Sequence, residues 1–202
     1  MEETSQAPDF VFEIQHQEQY SRGQLLLRSF FGWIYIVIPH AFVLFFMQIA
    51  AGILQFLAWW IVLFTAQYPK SFFDFQMALQ RWGARVSARL LNLSDGYPAF
   101  GLNAEDPNVT LTLAYPNQLS RGILLLRTLF GLFYVIIPHG IVLFFRMILV
   151  YIYIILGWLI VLFTGKFPKG MHEFIVDTLR WSTRVGLYML FLTDKYPTFS
   201  GK

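Results

Sequence analysis

Two histidines, each preceded by proline, are the side chains best suited by type to chemistry. His40 follows Pro39, and His139 follows Pro138. If the two imidazoles faced one another, they would form a proton relay or a pair of metal ligands. No Asp or Glu lies in the surrounding apolar runs to orient such rings, and two ligands do not complete a structural zinc site. The pattern therefore favours a proline kink beside a ring that is satisfied inside a helix bundle or at a membrane interface.

Arginines supply the second kind of candidate. Arg146 lies near the middle of an apolar run, as either a functional intramembrane charge or an anchor at a hairpin tip. The anchor is favoured because a charge at the centre of a spanning helix is costly. Other arginines recur at helical spacing beside a tryptophan, either as generic interfacial anchors or as a specific lipid site. The possible lipid-headgroup contacts are Arg81, Trp82, Arg85, Arg89, Arg180, Trp181 and Arg184.

Motifs of known catalytic chemistry are missing from the sequence. No phosphate-binding loop, dinucleotide fingerprint, Ser-His-Asp set or paired carboxylates occur. The absence of cysteine excludes disulfides and thiolate catalysis. The sequence therefore predicts a protein that is not an enzyme and has no cofactor. Nucleic acid is not expected as a partner, because the basic residues border apolar runs.

The composition is that of a membrane protein. Of the 202 residues, 56% are hydrophobic and only 13% are charged, against about 25% charged in soluble domains. So short a chain could not hide that much apolar surface in a soluble core. The first 18 residues contain five acidic and no basic residues, which argues against a cleaved signal peptide.

The chain consists of two tandem copies of one repeat unit, which align without gaps at an offset of 99 residues. Ser21-Arg22-Gly23 becomes Ser120-Arg121-Gly122, and Arg81-Trp82 becomes Arg180-Trp181. Such self-similarity marks a duplication. The predicted organisation is an acidic tail at 1–9, repeat 1 at 10–101, a linker at 102–108 and repeat 2 at 109–202.

Each repeat opens with a short stretch of alternating apolar residues, Phe10 to Ile14 and Val109 to Leu113. β-branched and aromatic residues at period two predict a strand. One strand per repeat allows the two to pair with each other outside the membrane.

The apolar run of each repeat is too long for a simple membrane span. In the first repeat, residues 30–66 would make a helix of roughly 55 Å, against a hydrocarbon core of about 30 Å. The favoured interpretation is a helical hairpin, with helices at 24–46 and 49–66 and Arg146 at the equivalent tip of repeat 2. The alternative is a break at Pro39 or Pro138, with 22–37 in the interface and 40–66 as one span. No Gly or Pro marks the proposed tip.

The predicted fold class combines these elements. It is an all-α integral membrane protein of two tandem parallel repeats, each a transmembrane hairpin plus an amphipathic interfacial helix, with a short β-strand before each repeat. The hairpin brings the basic flanks to one face, which the positive-inside rule makes cytoplasmic. The predicted protein is therefore multi-pass, with both termini in the cytoplasm.

The motifs in order resemble one known family. They are Ser-Arg-Gly, Ile-Pro-His, Leu-Phe-Thr, Arg-Trp-x-x-Arg-Val and Asp-x-Tyr-Pro-x-Phe. The unit resembles the bacterial family catalogued as domain of unknown function 4389, here in tandem over about 10–101 and 109–201. Copy one departs at Ala66 and Gln67, where copy two has Gly165 and Lys166, closer to the family pattern. The resemblance implies a bacterial cytoplasmic membrane and supplies no activity.

Three functional hypotheses follow. The leading one is a non-catalytic integral membrane subunit or scaffold that packs against a larger membrane complex, with membrane lipids and that complex or a second copy as partners. The second is a lipid-binding or membrane-shaping protein. The third, a small transporter or channel accessory subunit, rests on His40, His139 and Arg146 alone.

Overall fold

A computed structural model of the chain describes residues 9–201, and within them the two repeats have the same order of elements. Most of the predicted acidic tail lies outside the described residues. Repeat 1 comprises β1 (Phe10–Ile14), α1 (Arg22–Gly32), a π-helical turn (Trp33–Val37), α2 (Ile38–Thr65) and α3 (Lys70–Leu90). Repeat 2 comprises β2 (Val109–Leu113), α4 (Arg121–Gly131), a π-helical turn (Leu132–Ile136), α5 (Ile137–Thr164) and α6 (Lys169–Met189).

The first two helices of each repeat join into one long helix through the π-helical turn. The long helices cover Arg22–Thr65 and Arg121–Thr164, 44 residues each. Proline cannot donate to the carbonyl four residues before it, and its ring crowds that carbonyl. The chain responds just before Pro39 with wider hydrogen bonding, in which the N–H of Ile38 reaches the carbonyl of Trp33.

The predicted hairpin is wrong. The long helix continues without a turn through 46–49, and its counterpart continues through Arg146. No Gly or Pro interrupts the backbone ladder there, so helix formation continues. The alternative interpretation, a break at Pro39 or Pro138, placed the irregularity correctly. The hydrogen bonding is wider there, but the helix is not broken. Among residues 9–201, two helices are long and apolar enough to span a membrane, whereas the hairpins required four segments.

The two predicted strands do pair with each other, antiparallel and with Phe12 opposite Leu111. Leu111 is the counterpart of Phe12 in the second repeat, so a pseudo-twofold axis passes through this pair. Phe12 and Leu111 are buried, whereas Glu13 and Thr112 point to the exposed face. This alternation follows from the period of two in a β-strand.

The pseudo-twofold symmetry joins the repeats at both ends of their long helices. The indole N–H of Trp59 in α2 donates to Thr128 in α4 at 2.8 Å, and that of Trp158 in α5 donates to Ser29 in α1 at 2.7 Å. These contacts are copies of each other under the 99-residue offset. The start of each long helix therefore lies against the end of the other, and the long helices run antiparallel.

The helices α3 and α6 pack against other elements of the protein, which the prediction of interfacial helices did not include. α3 contacts α2 and β2, while α6 contacts α5 and β1. Ten residues of α3 are buried, including Gln76, whose amide donates to the carbonyl of Ala51 at 2.9 Å. The hydrophobic stripe of α3 is therefore covered by α2 and the sheet.

Candidate membrane interface

The outer faces of the long helices form an apolar surface that the rest of the chain leaves uncovered. Within the most apolar window of each helix, only 11% and 17% of residues are buried. A core helix of a soluble protein would be covered on most sides. The outward face of the first long helix, termed stripe 1, consists of Leu26, Phe30, Ile34, Ile38, Phe42, Phe45, Ile49, Ile53, Phe56, Trp60 and Phe64.

The second long helix repeats this surface as stripe 2. Its members are Leu125, Leu129, Phe133, Ile137, Ile141, Phe144, Ile148, Ile152, Ile155, Leu159 and Phe163. Residues three or four apart lie on one side of a helix, so each stripe is a continuous ridge. No charged residue belongs to either stripe.

The arginines of the long helices point away from the stripes. Arg28 in α1 is buried and pairs with Asp95 at 2.9 Å, and Arg127 in α4 pairs with Asp194 at 2.6 Å. The same carboxylates also accept the backbone N–H groups of Ser21 and Ser120, both at 2.6 Å. Each aspartate therefore satisfies both a buried cation and the positive N-terminus of a long helix.

Arg146 is neither a tip anchor nor an outward charge, so the hairpin-tip prediction is wrong. Its Nε donates to Thr178 Oγ1 at 3.1 Å. Its guanidinium lies over the ring of Phe174, 4.3 Å from the centroid, and 5.7 Å from that of Trp181. These partners on α6 hold a mid-helix charge against the protein and away from the stripe.

His40 and His139 occupy separate pockets, one in each repeat. Trp82 donates its indole N–H to Nδ1 of His40 at 2.7 Å, and Trp181 does the same to Nδ1 of His139 at 2.9 Å. Among residues 9–201 no ring contact joins the two histidines. Nδ1 of each ring therefore has a partner within its own repeat, whereas Nε2 of His40 has none among the described residues.

The His139 pocket also fixes the ring's tautomer. Because Nδ1 accepts a hydrogen bond, the proton lies on Nε2, which is 3.2 Å from the Tyr196 hydroxyl. That hydroxyl in turn donates to the carbonyl of Tyr134 at 2.8 Å. The chain of donors holds the start of α5 to the C-terminal segment of the protein.

Of the predicted headgroup contacts, most are used inside the protein. Trp82, Trp181, Arg85 and Arg89 are buried, so the prediction is wrong for these four. Arg85 donates to the carbonyls of Ala99 and Gly101 at 3.1 and 2.5 Å. Burial lowers the pKa of Arg85, with a smaller opposite effect from the charge of Asp106.

Arg89 is buried, whereas the three cations not yet described are partly buried, namely Arg81, Arg180 and Arg184. Arg89 pairs with Asp106 of the linker at 2.7 Å. Arg180 donates to the carbonyl of Phe12 at 2.8 Å and pairs with Asp177 at 2.5 Å. Arg184 donates to Thr198 Oγ1 at 2.5 Å. Arg81 lines a groove of about 490 Å³ beside β2. The arginines of α3 and α6 therefore join these two helices to the sheet, the linker and the C-terminal segment.

The end of each long helix is capped by the other repeat. The carbonyl of Gly165 accepts the N–H of Tyr20, and that of Ala66 accepts the N–H of Leu119, both at 2.8 Å. Arg22 donates to the carbonyl of Phe163 at 2.9 Å. Arginine at a helix C-terminus satisfies free carbonyls and opposes the negative end of the helix dipole.

One pair of titratable side chains escaped the sequence analysis. His16 and His172 have no histidine counterparts in the other repeat, yet their ring centroids lie 5.1 Å apart. The repeat offset relates them to Tyr115 and Phe73, but no pattern in the sequence predicts that the two positions meet. Within residues 9–201 no three or more His, Asp or Glu side chains are grouped so that they could hold a metal ion.

Comparison with known proteins gives one match. The family model described as a domain of unknown function, DUF4389, matches residues 27–101 and again 124–201. The match occurs in two tandem copies and covers most of the chain. No curated protein and no solved structure matches the chain.

Proposed function

The chain belongs to the family described as domain of unknown function DUF4389, and from its structure we propose that it is a non-catalytic, membrane-embedded scaffold subunit of a larger membrane complex. The observation that carries the proposal is the pair of uncovered, charge-free stripes on the long helices. Exposed apolar surface of this extent marks contact with lipid or with another protein.

Lipid is the first partner that the stripes require. Phe30, Phe45 and Phe144 each leave more than half of their surface exposed. Removing one such side chain from water is worth on the order of 1–2 kcal/mol. Summed along two stripes, the gain is on the order of tens of kcal/mol, which favours insertion into a bilayer over any soluble arrangement of this chain.

Protein partners are supported by an exposed pair of phenylalanines near the middle of each long helix, with one member in the stripe and the other beside it. Phe45 and Phe46 meet edge to face at 5.4 Å, and their counterparts Phe144 and Phe145 do so at 5.5 Å. Aromatic side chains are enriched at protein interfaces and supply most of the binding energy there. Because of the pseudo-twofold symmetry, this aromatic pair is present once in each repeat. Two such pairs suit a subunit that links two elements of a complex.

The test is affinity purification of the tagged full-length chain from its native membrane in mild detergent, followed by mass spectrometry and sizing. We expect a stoichiometric membrane protein partner. The double variant Phe45→Ala, Phe46→Ala removes this aromatic pair from the first long helix, and we expect it to lose the partner without loss of folding. A monomer without a partner in mild detergent would contradict the scaffold role.

Membrane insertion is tested separately by flotation of the purified protein with liposomes, before and after alkaline carbonate treatment. We expect the protein to float with the lipid and to resist extraction. Protein released by carbonate would contradict insertion of the stripes, whatever the outcome of the purification.

A second candidate, membrane shaping, is favoured by the length of the long helices. At 44 residues each is about 66 Å long, more than twice the hydrocarbon thickness of about 30 Å. A helix of this length that enters lipid must be strongly inclined, and an inclined apolar helix displaces lipid unequally between the leaflets. Tubulation of liposomes by the purified protein would support this candidate, and unchanged vesicles would remove it.

A further inference from the structure

The His16–His172 pair joins the two repeats at one end of the long helices. His16 lies in the loop between β1 and α1, and His172 lies in the first turns of α6. The rings meet edge to face, with centroids 5.1 Å apart and planes at 84°. Nε2 of His16 lies 2.7 Å from the carbonyl of Phe167. This geometry ties the approach to α1 to the start of α6.

The other end of the molecule has the same junction without histidine. Tyr115 is the counterpart of His16, and Phe73 is the counterpart of His172 under the 99-residue offset. Their centroids lie 5.2 Å apart with planes at 83°, and the Tyr115 hydroxyl donates to the carbonyl of Tyr68, the counterpart of Phe167. Two nearly identical contacts therefore differ in one respect, which is that only the first can gain protons in mild acid.

The surroundings of the His16–His172 pair disfavour a positive charge on His172. His172 is buried, and its Nε2 has no hydrogen-bond partner among the described residues. A groove of about 210 Å³ beside the rings presents charged groups from two elements, Glu13 of β1 and Glu173, Asp177 and Arg180 of α6. Arg180 is paired with Asp177 at 2.5 Å. From the loop before α1, the Tyr20 ring packs on His16.

We propose that the His16–His172 contact is an acid-sensitive latch, which opens when His172 takes up a proton while the equivalent Tyr115–Phe73 contact stays closed. A protonated His172 ring would be buried in the closed contact, where it loses its hydration and its Nε2 has no acceptor among the described residues. The carboxylates Glu13 and Glu173 line the groove and attract the protonated ring once the contact has opened.

Protonation linkage gives the direction of the effect. Burial, and then the neighbouring His16, lower the pKa of His172 from 6.5 to about 4, while a hydrogen bond with the backbone of Leu93 acts in the opposite direction. The closed contact therefore binds fewer protons than the open one. Its stability is complete above pH 6.5 and is lost as the pH falls from 6.5 towards 4. Between pH 7.5 and 5.5 the opening equilibrium rises about tenfold.

The latch acts on a long-helix junction. Four residues after His16, the N–H of Tyr20 caps the end of α5 through the carbonyl of Gly165, and the equivalent N–H of Leu119 caps the end of α2. Opening at the histidine end frees the first cap and leaves the second intact. Acid therefore makes the two halves of the pseudo-symmetric molecule different.

The two capping amides are matched reporters for hydrogen exchange on the full chain in lipid nanodiscs. After correction for intrinsic exchange rates, we expect protection of the Tyr20 amide to fall about tenfold from pH 7.5 to 5.5. Protection of the Leu119 amide should change less than twofold. An unchanged Tyr20 amide would overturn the proposal.

Exchanging the residues between the junctions completes the test. The variant His16→Tyr, His172→Phe copies the second junction into the first, and we expect the Tyr20 amide to lose its pH dependence. The reverse variant Tyr115→His, Phe73→His should transfer the pH dependence to the Leu119 amide. A fall at Tyr20 that persists in the first variant, or no gain at Leu119 in the second, would contradict the latch.

Discussion

The indole N–H of Trp82 donates a 2.7 Å hydrogen bond to Nδ1 of His40, and both side chains are almost wholly buried. The same bond recurs between Trp181 and His139 at 2.9 Å. Each bond connects the residue just after Pro39 or Pro138 to the third helix of the same repeat. The Pro-His and Arg-Trp motifs are therefore two halves of one structural clasp.

Removal of the Trp82 donor should destabilise this clasp. In Trp82→Phe, Nδ1 of His40 is left as a buried acceptor without a partner, and we expect a loss of about 1–3 kcal/mol in the free energy of unfolding. Chemical denaturation in detergent measures it. Trp33→Phe is the matched control, because Trp33 is 61% exposed. Equal losses in the two variants would contradict the clasp.

The ion pair between Arg28 and Asp95 should be worth more than any exposed pair. Asp95→Asn leaves the guanidinium of Arg28, whose side chain is 3% exposed, without a counter-charge. Breaking a buried pair in this way costs about 3–5 kcal/mol. The control is Asp74→Asn, which breaks the exposed Lys70–Asp74 pair and should cost about 0–1 kcal/mol. Similar denaturation midpoints for the two variants would show that the buried pair has no special role.

The ends of the long helices predict a substitution that stabilises the protein. Ala66 adopts a left-handed conformation with φ of 61°, where repeat 2 has Gly165 with φ of 72°. Because a Cβ is disfavoured there by about 1–2 kcal/mol, Ala66→Gly should raise the free energy of unfolding and Gly165→Ala should lower it. A Cβ at Gly165 meets only ordinary contacts, the nearest at 3.7 Å, so the cost is conformational. Effects of the same sign in both variants would refute this explanation.

Much of the fold follows from patterns within a single repeat. The offset of 99 residues gives the duplication, and alternation gives the strands at Phe10–Ile14 and Val109–Leu113. Their pairing was predictable because a lone strand has no other partner for its backbone. The irregularity before Pro39 follows from the missing proline N–H.

The path of the long helix could not be derived in the same way. The hairpin was inferred from the cost of placing Arg146 at the centre of a span. That cost is offset by Thr178 and Phe174 on α6, about thirty residues further along the chain. A charge whose partners are distant in sequence looks uncompensated in the sequence alone.

The role of the basic stripe on α3 was misread for a related reason. A helical stripe of Arg and Trp looks the same whether lipid headgroups or backbone carbonyls receive its donors. Arg85 finds its acceptors in the segment after α3, and Arg89 finds Asp106 in the linker. Asp95, which the sequence marks only as the first residue of the Asp-x-Tyr-Pro motif, caps α1 and binds Arg28 across the repeat.

The central claim is that stripes 1 and 2 lie in lipid, and site-directed spin labelling tests it most directly. The chain has no cysteine, so single labels can be placed at Phe45 and Phe144 on the stripes and at Glu18 and Asn117 on exposed loops. In liposomes, power saturation should show the stripe labels accessible to oxygen and shielded from a water-soluble nickel chelate, with the reverse at the loops. Stripe labels that respond to the chelate as strongly as those at Glu18 and Asn117 would contradict the membrane-embedded arrangement.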